Sequence, residues 1–255
     1  MFSDERRQKI LYLIKQNGRV LVKDLAADLN ISVDSIRRDL SIMEDQGLLK
    51  RTHGGAISVP RVRNSAQAPS IRYGEGSITQ NAIAKSAVSY IEENQTLFIG
   101  GAAVHYAMIK HLPNDISFTV VTNSIEVAYL LKNLSKVQTF IIGGSVKNSG
   151  NITDSIANEF VRQFTFDLCF TTAGGLSTKG LSTATPEVSV FNRTVFNHSK
   201  KIIALIEHFK VDIELFSHMC PIKGIDIIIS DEETDMNYLE TIKSQGVEVL
   251  VAKNI

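Results

Sequence analysis

Near the start of the chain, apolar residues recur at helical spacing in successive stretches. The first stretch predicts a helix over residues 4–16, with Ser3 as its cap and Asn17-Gly18 as its stop. After an extended piece at residues 19–21, the second stretch predicts a helix that Asn30 can end in a left-handed conformation. Both helices are expected to be short and closely connected.

A third stretch predicts the helix that completes this unit, with Ser32 as its cap and Gly47 as its stop. Its apolar stripe consists of Val33, Ile36, Leu40 and Met43. Two short extended runs follow, joined by a turn at His53-Gly54-Gly55. The pattern therefore predicts a helix-turn-helix with a β-hairpin wing.

Beyond residue 77, short apolar runs rich in β-branched residues alternate with helical patterns. Seven such runs lie at residues 96–99, 117–121, 137–142, 168–172, 201–206, 226–230 and 247–251. This alternation predicts an α/β fold with a Rossmann-like, mostly parallel sheet covered by helices.

The segment between these two parts, residues 58–76, is polar, contains two prolines and has no apolar period, as expected of a linker. We therefore predict a winged helix-turn-helix DNA-binding domain at residues 1–57, this linker, and an α/β domain at residues 77–255.

Charge is distributed unevenly, although the net charge is formally zero. Residues 1–63 carry 12 Lys and Arg against 8 Asp and Glu, whereas residues 64–255 carry 15 against 19. Because DNA phosphates attract cations, the first quarter of the chain is the part expected to bind a double-stranded operator.

Other features of the composition exclude whole classes of protein. No apolar run approaches the ~20 residues of a membrane span, and the first residues are charged, so a cytoplasmic protein without a membrane partner is expected. Cys169 and Cys220 lie in apolar contexts without C-x-x-C spacing, which favours buried thiols. His105, His111 and His208 are scattered, so neither a metal nor a cofactor is predicted.

The third predicted helix presents a polar face opposite its apolar stripe. Arg37 and Arg38 can make bidentate contacts to guanine or phosphate, and Ser32 and Ser35 offer short hydroxyls. An isolated Arg-Arg pair is more often a solvated helix surface, so the context must decide. The predicted DNA-binding residues, wing included, are Ser32, Asp34, Ser35, Arg37, Arg38, Ser41, Lys50, Arg51 and His53.

That context is the string SVDSIRRDLSIMEDQGLLKRTHGGA and the 27 residues before it, which together strongly resemble the DeoR family of bacterial regulators. The family pattern is a serine and a threonine before I-R-R-D-L, then L-E-x-x-G and R-x-H-G-G-A, and here Ser35 replaces the threonine. The resemblance implies a winged helix, operator binding as a homo-oligomer (dimer or tetramer) and, most often, repression of a carbohydrate-metabolism operon.

The resemblance continues into the second domain, because DeoR proteins carry an effector domain related to ribose-5-phosphate isomerase and glucosamine-6-phosphate deaminase. It implies a small-molecule effector, a phosphorylated sugar or a related metabolite, bound where loops follow the strands. LFIGGAAV, VVTNS and IIGG match three of these loops, and LSTATPE (181–187) matches a helix entry. The predicted effector-binding residues are Gly100, Gly101, Ala102, Ala103, Thr122, Asn123, Gly143, Gly144 and Lys210.

Several positions depart from the family. Ala102 and Ala103 replace a threonine pair, Gln80 replaces a lysine and Asp154 replaces a glycine. In the family's Asp-x-Ser-Lys segment, residues 207–210 read Glu-His-Phe-Lys. A lost charged hydrogen bond costs about 1.5–3 kcal/mol, so these changes predict weakened binding of a phosphate dianion. The alternative is that neighbouring residues compensate.

Two other functions stay open on the sequence. A residual sugar-phosphate isomerase would need an acid–base pair, for which Glu187, Glu207, His208 and Asp154 are available, but no spacing singles out a pair and no catalytic residue is predicted. Alternatively, a regulator with a degenerate pocket would use its second domain mainly for oligomerisation.

Overall fold

The computed structural model describes residues 3–45, 48–58 and 75–253. The chain divides into two compact units, an N-terminal unit, Met1–Arg61, and a C-terminal unit, Val62–Ile255. Gly47 and most of the predicted linker lie outside the described residues. No helix in the described ranges is long and apolar enough to cross a membrane.

The N-terminal unit is the winged helix-turn-helix that the periodicity predicts. Its elements are α1 (Ser3–Asn17), β1 (Arg19–Leu21), α2 (Val22–Leu29), α3 (Val33–Asp45), β2 (Leu49–Thr52) and β3 (Gly55–Ser58). Gly18 (φ +73°) follows α1, and Asn30 (φ 52°) ends α2, so both helices stop at left-handed residues as predicted. Ser3 differs from the prediction, since it is the first residue of α1 instead of its cap.

Three short strands form the wing, with the order β1-β3-β2 and antiparallel pairing throughout. The sequence predicts only the β2–β3 hairpin, and β1 joins it along β3. A Cβ on Gly55 would lie 1.9 Å from the carbonyl oxygen of Val20, so the close approach of β1 requires a glycine there. One apolar cluster fills the unit, and the predicted stripe residues Ile36, Leu40 and Met43 lie in it.

The C-terminal unit contains a seven-stranded sheet with helices between its strands. Its elements are α4 (Ile78–Val88), β4 (Thr96–Ile99), α5 (Ala103–Ile109), β5 (Phe118–Thr122), α6 (Ile125–Leu131), β6 (Val137–Ile141), α7 (Ser155–Val161), β7 (Phe166–Thr171), β8 (Gly175–Ser177), β9 (Gly180–Thr183), α8 (Pro186–Asn197), β10 (Ser199–Ile206), β11 (Ser217–Pro221), β12 (Ile227–Asp231), α9 (Met236–Lys243) and β13 (Glu248–Ala252).

Each of the seven predicted apolar runs overlaps one strand of this sheet. The strand order is β13-β12-β10-β7-β4-β5-β6, and every neighbouring pair is parallel. Side chains alternate between the two faces: Phe98 and Cys169 belong to one apolar cluster, whereas Leu97 and Phe170 belong to the other. The sheet is thus covered on both faces, which explains why its strands read as continuous apolar runs.

A second, antiparallel sheet of order β11-β9-β8 was not predicted. The sequence assigns residues 181–187 to a helix entry, but the first three of these residues belong to strand β9. The helix itself, α8, begins at Pro186. The strands are only three to five residues long and rich in glycine and serine, so they carry no readable alternation.

Parallel strands all end at one side of the sheet, so the residues that follow them meet there. We call the residues that directly follow β4, β5, β6, β7, β10 and β12 the carboxyl edge. All of the predicted effector-binding residues lie on it or at the ends of its strands.

Candidate functional site

The start of α3 is built by two serines. The Ser35 backbone N–H donates to Ser32 Oγ at 3.2 Å, and the two hydroxyls lie 2.9 Å apart. Ser32 therefore takes up one of the unpaired N–H groups at the helix start, as the sequence predicts of a cap. Its hydroxyl is exposed but already hydrogen-bonded within the helix.

The polar face of α3 is exposed to solvent. The side chains of Asp34 and Arg37 are 90% and 62% exposed and lie 3.5 Å apart, and Arg38 is exposed beside them. An ion pair so open to water is worth little, so Arg37 can leave it at low cost. In a helix-turn-helix, the second helix of the motif is the one that lies in the major groove, with its N-terminal part toward the bases. In this chain that helix is α3, and Arg37 and Arg38 lie in its first half.

The predicted wing residues divide into two kinds. Lys50 and His53 are exposed. Arg51 instead reaches back to α3, where its Nη1 donates to Ser41 Oγ at 3.2 Å and its backbone N–H donates to Glu44 Oε1 at 2.7 Å. The structure therefore joins Ser41 and Arg51 to each other, and they hold the wing against α3.

Asp39, which sequence analysis did not single out, is buried on the inner side of α3 with 2% exposure. Its carboxylate accepts hydrogen bonds from Arg6 Nε at 2.5 Å and Arg7 Nε at 3.0 Å. The hydrogen bond to Asp39 raises the pKa of Arg6 above its ordinary value. These contacts attach α3 to α1, because a buried carboxylate is stable only when it is paired.

At the carboxyl edge, the loops after β4 and β5 pack closely against the loop that follows β6. Asn151 Nδ2 donates to the Gly101 carbonyl at 3.1 Å, and Asn123 Nδ2 donates to the Ile152 carbonyl at 3.0 Å. A Cβ on Gly101 would lie 2.6 Å from Ser124 Cβ, so this position too favours a glycine. Thr122 is fully buried and accepts from the Ser124 N–H at 3.2 Å. The structure thus brings Gly100, Gly101, Thr122 and Asn123 together at the carboxyl edge.

The loop after β6 has its own carboxylate. Gly143 and Gly144 are exposed, and Asp154 accepts from the Ser145 N–H at 2.6 Å and the Ala157 N–H at 2.9 Å. These backbone N–H groups hold the pKa of Asp154 below its ordinary value. Asp154 therefore caps α7.

Lys210 lies in a polar cluster with residues from other elements. Its ammonium forms an ion pair with Glu207, which is 2% exposed, and donates to Thr172 Oγ1 at 3.2 Å. Gln80 Nε2, at the start of α4, donates to Glu207 Oε1 at 2.7 Å. The predicted cation of the effector site is consequently held by a buried carboxylate.

A buried histidine lies beneath the loop after β4. The side chain of His105 is 3% exposed, and its Nδ1 accepts from the Ala102 N–H at 3.3 Å. Burial lowers the pKa of His105 to about 3, with the charge of Lys210 contributing, so the imidazole is neutral at physiological pH. Its Nε2 has no hydrogen-bond partner among the described residues.

Next to Lys210, His208 is oriented by a fully buried carboxylate. Its Nδ1 lies 2.8 Å from Asp231 Oδ1, and its backbone N–H donates to Asp231 Oδ2 at 2.8 Å. The Glu187 carboxylate, at the start of α8, lies 2.9 Å from Lys147 Nζ and accepts from Thr153 Oγ1 at 3.2 Å. The candidate acid–base groups of the sequence thus each have an internal partner.

Asp231 did have a sequence signal, because it directly follows the apolar run at residues 226–230. The prediction covered only the loops that resemble the family, so it left Asp231 out. Asp39 and Glu44 belong to the I-R-R-D-L and L-E-x-x-G segments of the family pattern, but no local pattern predicts their partners or that of Asn151, which lie seven to fifty residues away in the chain.

Comparison with known families gives two matches that together span most of the chain. Residues 77–232 match the family model described as the DeoR C terminal sensor domain. Residues 6–62 match the DeoR-like helix-turn-helix domain.

Curated relatives match over nearly their full length. The chain is 29% identical to the HTH-type transcriptional repressor GlcR of Bacillus subtilis, covering 99% of this chain and 98% of that one. It is 28% identical to the lactose phosphotransferase system repressor of Staphylococcus aureus, covering 96% and 98%. Among solved structures, ribose 5-phosphate isomerase A from Methanocaldococcus jannaschii is 14% identical with a TM-score of 0.39, covering 52% of this chain and 53% of that one.

Proposed function

The chain belongs to the DeoR family of transcription regulators, and on that premise we propose that it is a DNA-binding repressor of a carbohydrate-metabolism operon. We propose further that its C-terminal unit senses a phosphorylated sugar or a related metabolite at the carboxyl edge. The two named relatives, which are repressors, support this function, and one of them is named for a sugar phosphotransferase system.

The observation that carries the proposal is the exposed arginine pair on α3. Arg37 and Arg38 stand opposite the buried stripe of a helix that contacts α1 through Asp39 and the wing through Ser41 and Glu44. The internal contacts fix the helix, and the arginines are left on the surface that faces a major groove in winged helices.

The proposal is tested by fluorescence anisotropy with labelled fragments of the DNA flanking the gene. We expect specific binding with a dissociation constant of roughly 10⁻⁸ M or tighter, and at least ~10³-fold weaker binding to unrelated DNA of the same length. The double variant R37A/R38A should lose the specific component. Equal affinity of the wild type for all fragments would contradict a role as an operator-binding repressor.

We propose a dimer or tetramer as the active form, since two recognition helices on one face of DNA match a palindromic site. Analytical ultracentrifugation of the full chain at micromolar concentration, with and without operator DNA, tests this. A monomer in both conditions would contradict it.

We also propose that the chain lacks enzymatic activity, as its relatives are regulators. The contrary candidate is a residual isomerase, and it is favoured by the His208–Asp231 pair, which positions an imidazole at the carboxyl edge. Incubation with ribose 5-phosphate and glucosamine 6-phosphate, followed by NMR, should show no conversion above a protein-free control. Conversion that is lost in H208N would establish the enzyme instead.

A further inference from the structure

We propose that two copies of the chain associate through β6, the last strand on one side of the seven-stranded sheet, with the two β6 strands paired antiparallel about a two-fold axis. One sheet then runs through both subunits. This inference rests on the proposed function, because it names the contact surface of the dimer or tetramer proposed there.

Strand β6 leaves one row of backbone groups without a strand partner. It stands at the end of the strand order and pairs with β5 alone. Ile142 donates its N–H to the Thr122 carbonyl at 2.8 Å, so the even-numbered residues of this segment face β5. Thr139 and Ile141 therefore direct their N–H and C=O groups away from β5, where no strand of the described ranges meets them.

This open strand lacks the features that normally prevent a strand from pairing with another molecule. Such features are charged side chains, proline and bulges. Residues 137–146 contain no charged residue and no proline, and the register of β6 against β5 runs without a shift. At the other end of the sheet, β13 begins with Glu248 and is followed by Lys253. Of the two outer strands, β6 is the one suited to pair.

Four exposed apolar side chains lie on and beside this strand, and we call them the β6 surface: Phe140, Ile141, Val146 and Ile156. Ring contacts connect β6 to α7, which carries Ile156. The ring centroids lie 6.0 Å apart for Phe140 and Phe164, and 5.7 Å apart for Phe164 and Phe160 of α7. The loop with Val146 joins the same helix, since the Ser145 N–H donates to the α7 cap, Asp154, at 2.6 Å. The four side chains therefore belong to one region.

The area of this region suits a second copy of the chain. At 40–62% exposure, four side chains of this size offer on the order of 400 Å², about half of the ~800 Å² that each partner of a stable dimer buries. Gln138 and residues 143–145 are exposed and uncharged, and they add to this area. A two-fold contact brings the same surface of both subunits together, and a strand without charge can meet its own copy without repulsion.

The outward backbone groups specify the register of the pairing. When the two Phe140 residues lie opposite each other, Thr139 of each subunit exchanges both backbone hydrogen bonds with Ile141 of the partner subunit. The Phe140 side chains then form a close, non-hydrogen-bonded pair, and aromatic pairs in such positions stabilise antiparallel strands. Phe140 is thus the residue expected at the two-fold axis.

The surface is tested by sedimentation velocity of the full chain at micromolar concentration, with I141K as the variant. Ile141 is 44% exposed, and Val190 on α8 is 45% exposed, so V190K is the matched control. In the paired strands two lysines would lie close together, and we expect I141K to weaken the association at least about 100-fold. V190K should sediment like the wild type.

The possible results separate this inference from the proposed function. A wild type that is monomeric with and without operator DNA would contradict the proposed oligomer, and this surface with it. A wild-type oligomer that I141K leaves unchanged, or that V190K disrupts equally, would overturn the surface alone. Circular dichroism of each variant checks that it is folded.

A cross-link tests the register without the lysine variant. F140C should form a disulfide-linked dimer on mild oxidation, because the Cα atoms of a non-hydrogen-bonded antiparallel pair lie ~4.5 Å apart, within the reach of a disulfide. The native Cys169 and Cys220 are buried. Q138C is the control on the same strand, since its two copies would lie roughly 13 Å apart. On a non-reducing gel, no dimer of F140C, or an equal yield from Q138C, would overturn the proposal.

Discussion

Single side chains decide what the exposed face of α3 can do. Arg37 has Asp34 within 3.5 Å, whereas Arg38 has no ion pair among the described residues, so the proposed DNA contact of Arg38 would displace no ion pair. The next residue in the sequence, Asp39, is buried and binds Arg6 and Arg7 of α1. Adjacent residues on a helix thus serve different tasks because they lie about 100° apart around its axis.

Replacing Arg38 by alanine should cost about 1–3 kcal/mol of specific operator affinity, the usual value of a bidentate base contact. Anisotropy titration measures the loss. R162A is the control, since Arg162 is an exposed arginine on the C-terminal unit, paired with Glu159 at 2.5 Å. Wild-type affinity in both R37A and R38A would remove α3 from the reading role.

The lowered pKa of His105 predicts how the free energy of unfolding depends on pH. Its pKa is about 3 in the folded protein and 6.5 as the ordinary value, so between these values the unfolded chain binds the extra proton. The stability that neutral His105 contributes is therefore complete above pH 6.5 and decreases as the pH falls toward 3, by about 2 kcal/mol at pH 5.

Urea unfolding at several pH values measures this dependence. H105Q should flatten the curve between pH 5 and about 7. An identical slope in H105Q and the wild type would show that His105 is not the group responsible.

At the scale of elements, the wing is held in place by backbone packing at one end and by side chains at the other. Gly55 lets β3 lie against β1, and Arg51 ties β2 to α3 through Ser41 and Glu44. The sequence predicted the hairpin from its turn residues, but not β1 as its third strand or the contacts of Arg51, because both depend on tertiary packing.

Changing Gly55 to alanine should destabilise the N-terminal unit by about 3 kcal/mol, because the new methyl group would overlap the Val20 carbonyl. The adjacent variant G54A is the control, since a Cβ there meets nothing within 4 Å. Denaturant unfolding followed by circular dichroism compares them. Equal stability of the two variants would mean that β1 moves away freely.

Salt dependence separates the two cationic residues of β2. Lys50 is exposed, so K50A should reduce the slope of log affinity against log salt by roughly one unit, as expected for a lost phosphate contact. Arg51 is bonded to α3, and R51A should weaken binding with little change in slope. A slope change of the same size in R51A would show that its guanidinium neutralises a phosphate.

Prediction of the sheet from sequence succeeded for a physical reason. Strands covered on both faces read as uninterrupted apolar runs, and all seven were located, with β4 at the predicted residues 96–99. The antiparallel sheet was not predicted, because β8 and β9 are only three and four residues long and show no apolar pattern. At the carboxyl edge, the positions of the loops were predictable from the strand ends, whereas the pairings of Glu207 with Gln80 and of His208 with Asp231 join residues 127 and 23 positions apart.

At the scale of the whole molecule, the chain holds separate hydrophobic cores. One cluster draws its residues from positions 10–56, and the two others draw theirs from positions 83–252. Among the described residues, each cluster therefore draws its members from one unit alone.

Residues 1–61 and 75–255, expressed separately, should each unfold cooperatively, because each fragment retains a complete apolar cluster. Calorimetry of both fragments and of the full chain tests this. The predicted linker at residues 58–76 should be the first site of limited proteolysis, since its composition offers nothing to bury. Cleavage inside the sheet before residues 58–76 would contradict the proposed boundaries.

The parallel order of the sheet has a consequence for how the protein is made. The winged helix is complete once Ser58 has left the ribosome, but the sheet places β7, β10, β12 and β13 on one side of β4, and the last of these strands ends at Ala252. Contacts between residues so distant in sequence form late and slowly. A nascent chain therefore carries a finished winged helix well before its parallel sheet is complete, so the two units reach their folded states at different times during synthesis.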